Sequence, residues 1–420
     1  MNLAKSFSIY TGISIINAGV SFLLFPILTF YLTKLDYGLM SLFSSYVAIT
    51  GTMLTFSVPG YTAIHFFEKD KSKFTNVFSS SFFLPIIVFV IIELTFIIFG
   101  QYFSNGIPIF WLMLVPIFAL LEYLYQYLLS VLILMNGVKQ YTIVSLSKII
   151  IEVFLIYFFV IKLELGWEGK LFSWFIVIQL GGVLSILFFI KKEYLKFKFD
   201  KYILYQTMIF GAPLILHSLN KFVINQSDRI FISKMVSLEA TGLYSIGYNI
   251  GMIVLIVLAS VINVYSPYLI ERLSDINIEK KYQILKLSYI IFLGLLSVFL
   301  ILNILISPIM FRYFISGDYG GGESYVFLVS LSYVFWGVYL MFAGYVFYLK
   351  KTKFLGFMAI ITILINLIFN YFLIKLNGPI GAAQSTVISF VVLALSVMIY
   401  SNSIYKMPWF NFNEIIKVKI

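Results

Sequence analysis

Long apolar runs alternate with short polar breaks along the whole chain, and the runs exceed what a buried helix of a water-soluble core needs. About 20 apolar residues rising 1.5 Å each cross the hydrocarbon layer of a bilayer. Runs near 6–33, 38–66, 77–100, 108–136, 139–162, 170–190, 202–233, 238–270, 283–306, 323–349, 354–375 and 380–403 meet that length, which predicts twelve spanning helices. The fold class expected is all-α integral membrane. The first run follows one basic residue, Lys5, carries Asn17 and Pro26, and lacks a small-residue cleavage pattern, so it is expected to stay as a span.

Charge orients these spans. Counted alternately on the two sides, Lys and Arg divide 20 to six, with Lys148, Lys221 and Arg229 inside predicted spans. Positive loops stay inside, so an even helix count and cytoplasmic N and C termini are expected. Lys170 falls on the outer side in this count. The longest connections, about 191–201 and 270–282, are expected to be cytoplasmic, interfacial and amphipathic, and the longest outer loop to be about 307–322, with Gly320, Gly321 and Gly322 flexible within it.

The two halves repeat each other weakly. LTKLDYGLMSL at 32–42 resembles SKMVSLEATGLYSI at 233–246, with Gly38, Leu39 and Ser41 matching Gly242, Leu243 and Ser245 at an offset of 204. FFVIKLELGWEGKLFSW at 158–174 likewise resembles YFLIKLNGPIGAAQST at 371–386, with Gly169 set against Gly381. Two matches in the same order predict two six-helix bundles, 1–195 and 196–420. Six is even, so the repeats are parallel, with a transporter-like cavity between them.

Composition narrows the class. The chain is 61% hydrophobic and 11% charged, against roughly 45–50% and about 25% in soluble proteins. Its 45 Phe and 30 Tyr suit a lipid-facing surface with aromatic belts. There is no cysteine, hence no disulfide or thiolate metal site. The net charge of +11 is spread over short inter-run clusters, a topology signal rather than a nucleic-acid footprint. HExxH, DxD, GxSxG and P-loop patterns are absent, so no catalytic residue, metal or cofactor is expected.

Candidate chemistry concentrates in the seventh span. His217, Lys221, Asn225 and Asp228 fall within an arc of about 80° at helical spacing, a polar stripe that cannot face lipid. Either Lys221 pairs with Asp228 or another intramembrane acid to lock helices together, or the stripe is the cationic wall of a cavity that also engages Arg229. Asp228 and Arg229 lie near the outer end, where a structural pair or cap is the alternative. Asn17 with Tyr10, Ser14 and Ser21, Asn249 with Ser245, and Asn366 with Thr362 and Asn370 share helix faces, for hydrogen bonding between helices or for binding a sugar. Lys148 and Glu152 stand at i and i+4. Glu93, Glu122, Glu152 and Asp228 are the candidates for binding a coupling ion. Pro26, Pro85, Pro116, Pro213 and Pro267 can kink spans, as hinges or as static bends.

Four segments in order, FPILTFYLTKLDYGLMSL at 25–42, GAPLILHSLNKFVINQSDRIFISKM at 211–235, GLYSIGYNIGMI at 242–253 and NLIFNYFLIKLNGPIGAAQSTVISF at 366–390, resemble the Wzx-type polysaccharide-repeat flippases of the multidrug/oligosaccharidyl-lipid/polysaccharide exporter superfamily. The resemblance runs over essentially the whole chain. It implies a multi-pass bacterial inner-membrane protein of two six-helix bundles forming a V, with a polyprenyl-diphosphate-linked oligosaccharide as substrate and a polysaccharide polymerase and chain-length regulator as partners. Lys221, Lys148, Arg229 or His217 would then pair with phosphate or acidic sugars, and the tail would stay in lipid. Competing readings are a multidrug cation antiporter of the same fold and a membrane-embedded polymerase or ligase. The antiporter would be expected to offer acids where the seventh span offers bases.

Overall fold

The computed structural model describes residues 3–68, 70–196, 199–274 and 277–418, with side chains throughout these ranges except at 3–8, 11, 14, 15, 18, 21, 216, 217 and 219–222. Helices fill almost all of it. They are α1 (Leu3–Leu28), α2 (Lys34–Thr55), α3 (Val58–His65), α4 (Lys71–Phe103), α5 (Ile109–Leu134), α6 (Val138–Ile156), α7 (Gly166–Lys191), α8 (Lys201–Met235), α9 (Leu238–Gly251), α10 (Ile253–Ser274), α11 (Ile278–Ile301), α12 (Ser307–Ile309), α13 (Glu323–Tyr348), α14 (Lys353–Asn377), α15 (Ile380–Ile404) and α16 (Phe412–Lys417).

Among the described residues, ten helical segments are long and apolar enough to cross a membrane. Two of them join α2 to α3 and α9 to α10, so a predicted run corresponds to a pair of helices there. Helices α1 and α8, 26 and 35 residues long, contain side chains outside the described residues and are not among the ten. The outward faces are apolar: Ile98, Ile304 and Leu376 are 66%, 74% and 76% exposed, positions that lipid rather than water would cover.

The structure departs from the expected connections in three places. The described residues of the first, 192–196 and 199–200, form no helix. They run along α4, where Thr75 Oγ1 donates to Glu193 O (3.1 Å), Ser79 Oγ to Tyr194 O (3.0 Å), and the Lys196 and Asp200 amides to Ser79 and Ser80 (2.8 and 3.0 Å). Helix α10 continues to Ser274 and α11 begins at Ile278, capped by Asn277, so the connection at 270–282 is short. The segment 307–322, expected as a loop, is also helical. Two π-helical turns, Leu302–Ile306 and Met310–Phe314, flank α12, and a 3-10 turn spans Gly317–Gly322. Gly322 packs there against Leu243 O and Phe311, so this part of the glycine run is a packed turn.

The chain divides into two compact units, Met1–Gln226 and Ser227–Ile420, with the division inside α8 rather than at 195. Adjacent side chains show why. Gln226 Oε1 accepts from Ser45 Oγ of α2 at 2.9 Å, whereas Ser227 Oγ donates to Asn366 Oδ1 of α14 at 3.1 Å. The start of α8 is tied to α4 by Ser81 and Thr207 hydroxyls 2.9 Å apart.

The sequence repeat has a structural counterpart. Thr33 begins α2 in a capping box with Asp36, and 204 residues later Ser237 caps α9 by accepting the Ala240 amide at 3.1 Å. Gly169 and Gly381 each stand where a helix start crosses the end of its predecessor. An added Cβ would lie 2.9 Å from Phe159 O in the first case and 2.2 Å from Leu373 O in the second.

Helix α2 ends in two left-handed residues, Phe56 (φ 42°) and Ser57 (φ 52°), and Pro59 then restarts the chain as α3. Gly211 of α8 packs on this break, where a Cβ would stand 2.1 Å from Phe56 O. Gly211→Val is therefore expected to separate α8 from the break and destabilise unit 1 by about 1–3 kcal/mol. Thermal melting of the purified protein checks this; an unchanged midpoint would show that the close approach is dispensable.

Candidate functional site

Unit 1 encloses a cavity of about 760 Å³ among α2, α5, α6, α7 and the middle of α8. Its polar wall comes from helical spacing. Glu122, Gln126 and Ser130 repeat every fourth residue on α5, Lys148 and Glu152 share a face of α6, and Lys170 and Trp174 share a face of α7. Ser44, Thr52 and Thr55 of α2 and Ser218 and Gln226 of α8 complete the hydroxyl and amide lining.

The charges are paired across helices. Lys170 Nζ lies 2.6 Å from Glu152 Oε1, and Lys148 Nζ 3.5 Å from Glu122 Oε1. Glu122 also accepts from Gln126 Nε2 (2.9 Å) and Trp174 Nε1 (3.5 Å), while Lys148 stands 4.6 Å above the Tyr125 ring. Trp174 is held edge-on by Phe118, with ring centroids 5.1 Å apart. All four charged side chains are between 18% and 26% exposed, so the cavity reaches them while most of each stem is buried. Two cations and two carboxylates, with amides, hydroxyls and aromatic edges, can bind a polar ligand by hydrogen bonds and by exchanging one ionic partner for another.

The structure brings Lys148, Glu122 and Glu152 together, and it adds Lys170, which the charge count had placed in an outer connection. Helix α7 begins four residues before Lys170, and the side chain lies within reach of Glu152. Other candidates lie elsewhere. Asn17 Nδ2 donates to Ser145 Oγ at 2.9 Å, joining α1 to α6. Glu93 is half-buried on α4, and its Oε2 has no hydrogen-bond partner among the described residues. Asn225 and Asn249 are half-buried and are not among the residues lining the cavity. The side chains of His217 and Lys221 lie outside the described residues.

Asp228, Arg229 and Asn366 belong to a buried network in unit 2. Asp228 is fully buried and accepts from Asn370 Nδ2 at 3.0 Å, from Thr386 Oγ1 at 3.2 Å and from the Tyr244 hydroxyl. Asn370 Nδ2 also reaches Asn366 Oδ1 at 3.2 Å, and the Arg229 guanidinium lies 4.4 Å from the Tyr248 ring centroid. This network ties α8, α9, α14 and α15 together.

The chain is thus a multi-pass membrane protein with a polar cavity in unit 1, and known structures share its fold. The fold resembles a multidrug resistance transporter of the MATE family in the MOP superfamily, inward-facing, with a TM-score of 0.71 at 15% identity over 92% of this chain and 94% of that one. It also resembles the lipid II flippase MurJ in its inward closed conformation, with a TM-score of 0.68 at 16% identity over 97% of this chain and 89% of that one. In sequence, an uncharacterized membrane protein of Haemophilus influenzae is 27% identical over 387 residues, 87% of this chain and 89% of the relative. The family described as polysaccharide biosynthesis protein matches residues 3–273, and the chain belongs to it.

Proposed function

We propose that the protein is a flippase that moves polyprenyl-diphosphate-linked oligosaccharide repeat units from the cytoplasmic to the outer leaflet of a bacterial inner membrane. The cargo serves O-antigen or related surface polysaccharide synthesis, and movement is by alternating access coupled to an ion gradient. The observation that carries this reading is the cavity of unit 1, whose paired charges, amides and hydroxyls suit a diphosphate and a glycan that cannot cross hydrocarbon unaided. Family membership supports the cargo class. Lys148 and Lys170 would take the anionic group, Gln126, Gln226 and Ser44 the sugar, and Lys221 keeps the cationic role its sequence position suggests. Glu122 and Glu152 are the cavity's candidates for the coupling ion. With both termini cytoplasmic, the protein would hand its cargo to a polymerase and chain-length regulator on the outer face.

Cation antiport is the second reading, favoured by the two cavity carboxylates and by the fold of the multidrug transporter. One assay separates them. The purified protein in liposomes should expose a fluorescent polyprenyl-diphosphate glycan to a membrane-impermeant lectin at least tenfold faster than empty vesicles, while moving lipophilic cations no faster. Acceleration of cations alone would replace the flippase reading with the antiporter.

A further inference from the structure

A second cavity in unit 1, of about 440 Å³, is lined by apolar side chains alone, among them Met53 and Phe56 of the α2 end, Val88 and Ile91 of α4, and Met208 and Ile215 of α8. Ile91 is 58% exposed, so the groove is open on its outer side. It adjoins the polar cavity along two helices. On α2, Thr52 and Thr55 line the polar cavity while the next residues, Met53 and Phe56, line the groove; on α8, Ser218 lines the former and Ile215, one turn earlier, the latter. A single seam of α2 and α8 thus has a charged, hydrogen-bonding chamber on one side and an apolar trough on the other. The seam lies at the left-handed pair Phe56 and Ser57 and at the Gly211 packing.

We infer that the groove of Met53, Phe56, Val88, Ile91, Met208 and Ile215 is the seat of the first isoprene units of the cargo, whose diphosphate and glycan occupy the polar cavity across the α2–α8 seam. This rests on the flippase reading. An amphiphile whose polar head enters the chamber has its tail delivered to the adjoining trough, because the two lining sets are one residue apart on α2 and three apart on α8. The surrounding hydrocarbon is as apolar as the groove, so burial alone gives no preference for the tail over a phospholipid chain. The preference comes from tethering: a head held next door raises the tail's effective concentration at the groove, which an untethered acyl chain lacks. The groove's volume falls within the range of ligand pockets, about 300–1,000 Å³.

The test uses the full chain in liposomes and a polyprenyl-diphosphate glycan bearing a diazirine in its second isoprene unit. Light should attach the probe to α4 and α8 at the groove, and unlabelled lipid-linked glycan should abolish labelling while excess phospholipid leaves it. Val88→Trp, which fills the groove, should lower the ratio of transport rates for the full-length tail over the same diphosphate glycan carrying a methyl group in place of the tail at least tenfold. If that variant fails to accumulate, Met208→Trp from the opposite wall makes the same measurement. Labelling spread over other faces, labelling removed equally by phospholipid, or an unchanged ratio in a folded variant would overturn the inference and leave the flippase reading standing. A wild-type protein that moves neither substrate would overturn the flippase reading and the groove with it.

Discussion

Asp228→Ala is expected to remove most of the folded protein from the membrane. The carboxylate is fully buried and accepts from Tyr244, Asn370 and Thr386, with the buried Arg229 as its neighbouring charge. Deleting it removes the acceptor that Tyr244, Asn370 and Thr386 share and the carboxylate charge beside the buried Arg229 guanidinium. Breaking a buried charge pair by removing one partner costs about 3–5 kcal/mol, comparable to much of a domain's whole stability. Asp228→Asn keeps the shape and one acceptor but loses the charge, so an intermediate loss is expected. Adding Arg229→Met to Asp228→Asn removes the buried guanidinium together with the carboxylate and should recover part of the melting temperature. Melting in detergent and membrane abundance read the effect, and a wild-type melting temperature for Asp228→Ala would exclude a structural role for the network.

That network shows how far the sequence could be read. Thr362, Asn366 and Asn370 at steps of four are visible as one polar face, and so is the stripe containing Asp228, because helical period is a local property. Which stripe meets which is not local. In the sequence Asp228 is compatible with pairing to Lys221 two turns away on the same face or with exposure in a cavity, and the packing of α14 and α15 against α8 assigns its oxygens to Asn370 and Thr386. Positive φ at Phe56 and Ser57 likewise follows from no glycine or turn motif, so the break between α2 and α3 is hidden inside one apolar run.

The cavity was half legible. Glu122, Gln126 and Ser130 form a period-four stripe, and Lys148 with Glu152 another, yet Glu122 read as an isolated acid because the amide and hydroxyl beyond it carry little weight on an apolar helix. The hydropathy boundary starts the sixth run at Lys170 and counts it on the outer side, since GWEGK looks like a connection until Gly166 is seen to open α7. Charge counts locate span ends to within a turn, and one turn decides whether a lysine faces water or a neighbouring helix.

Lys170→Gln is expected to lower transport per folded molecule at least tenfold, a loss of about 1.4 kcal/mol or more in the binding or translocation step. It removes one of the two cavity cations among the described residues and leaves Glu152, 2.6 Å away in the present structure, with Lys148 four residues earlier on its own helix as its remaining described cation. The pair is about one-fifth exposed, so its loss should cost stability between the ~0–1 kcal/mol of a surface pair and the ~3–5 kcal/mol of a buried one. Stability and transport then separate in the double variant. Glu152→Gln with Lys170→Gln strands no charge, so abundance and melting temperature should return toward wild type. Transport should stay low, because the cation that meets the diphosphate is still missing. Exchanging the pair, Glu152→Lys with Lys170→Glu, restores both charges on opposite helices and should recover more transport than the neutral pair. The measurement is lectin-accessible lipid-linked glycan per unit of reconstituted protein for the single, double and exchanged variants. Full transport by the neutral double variant would show that Lys170 and Glu152 only hold α6 to α7.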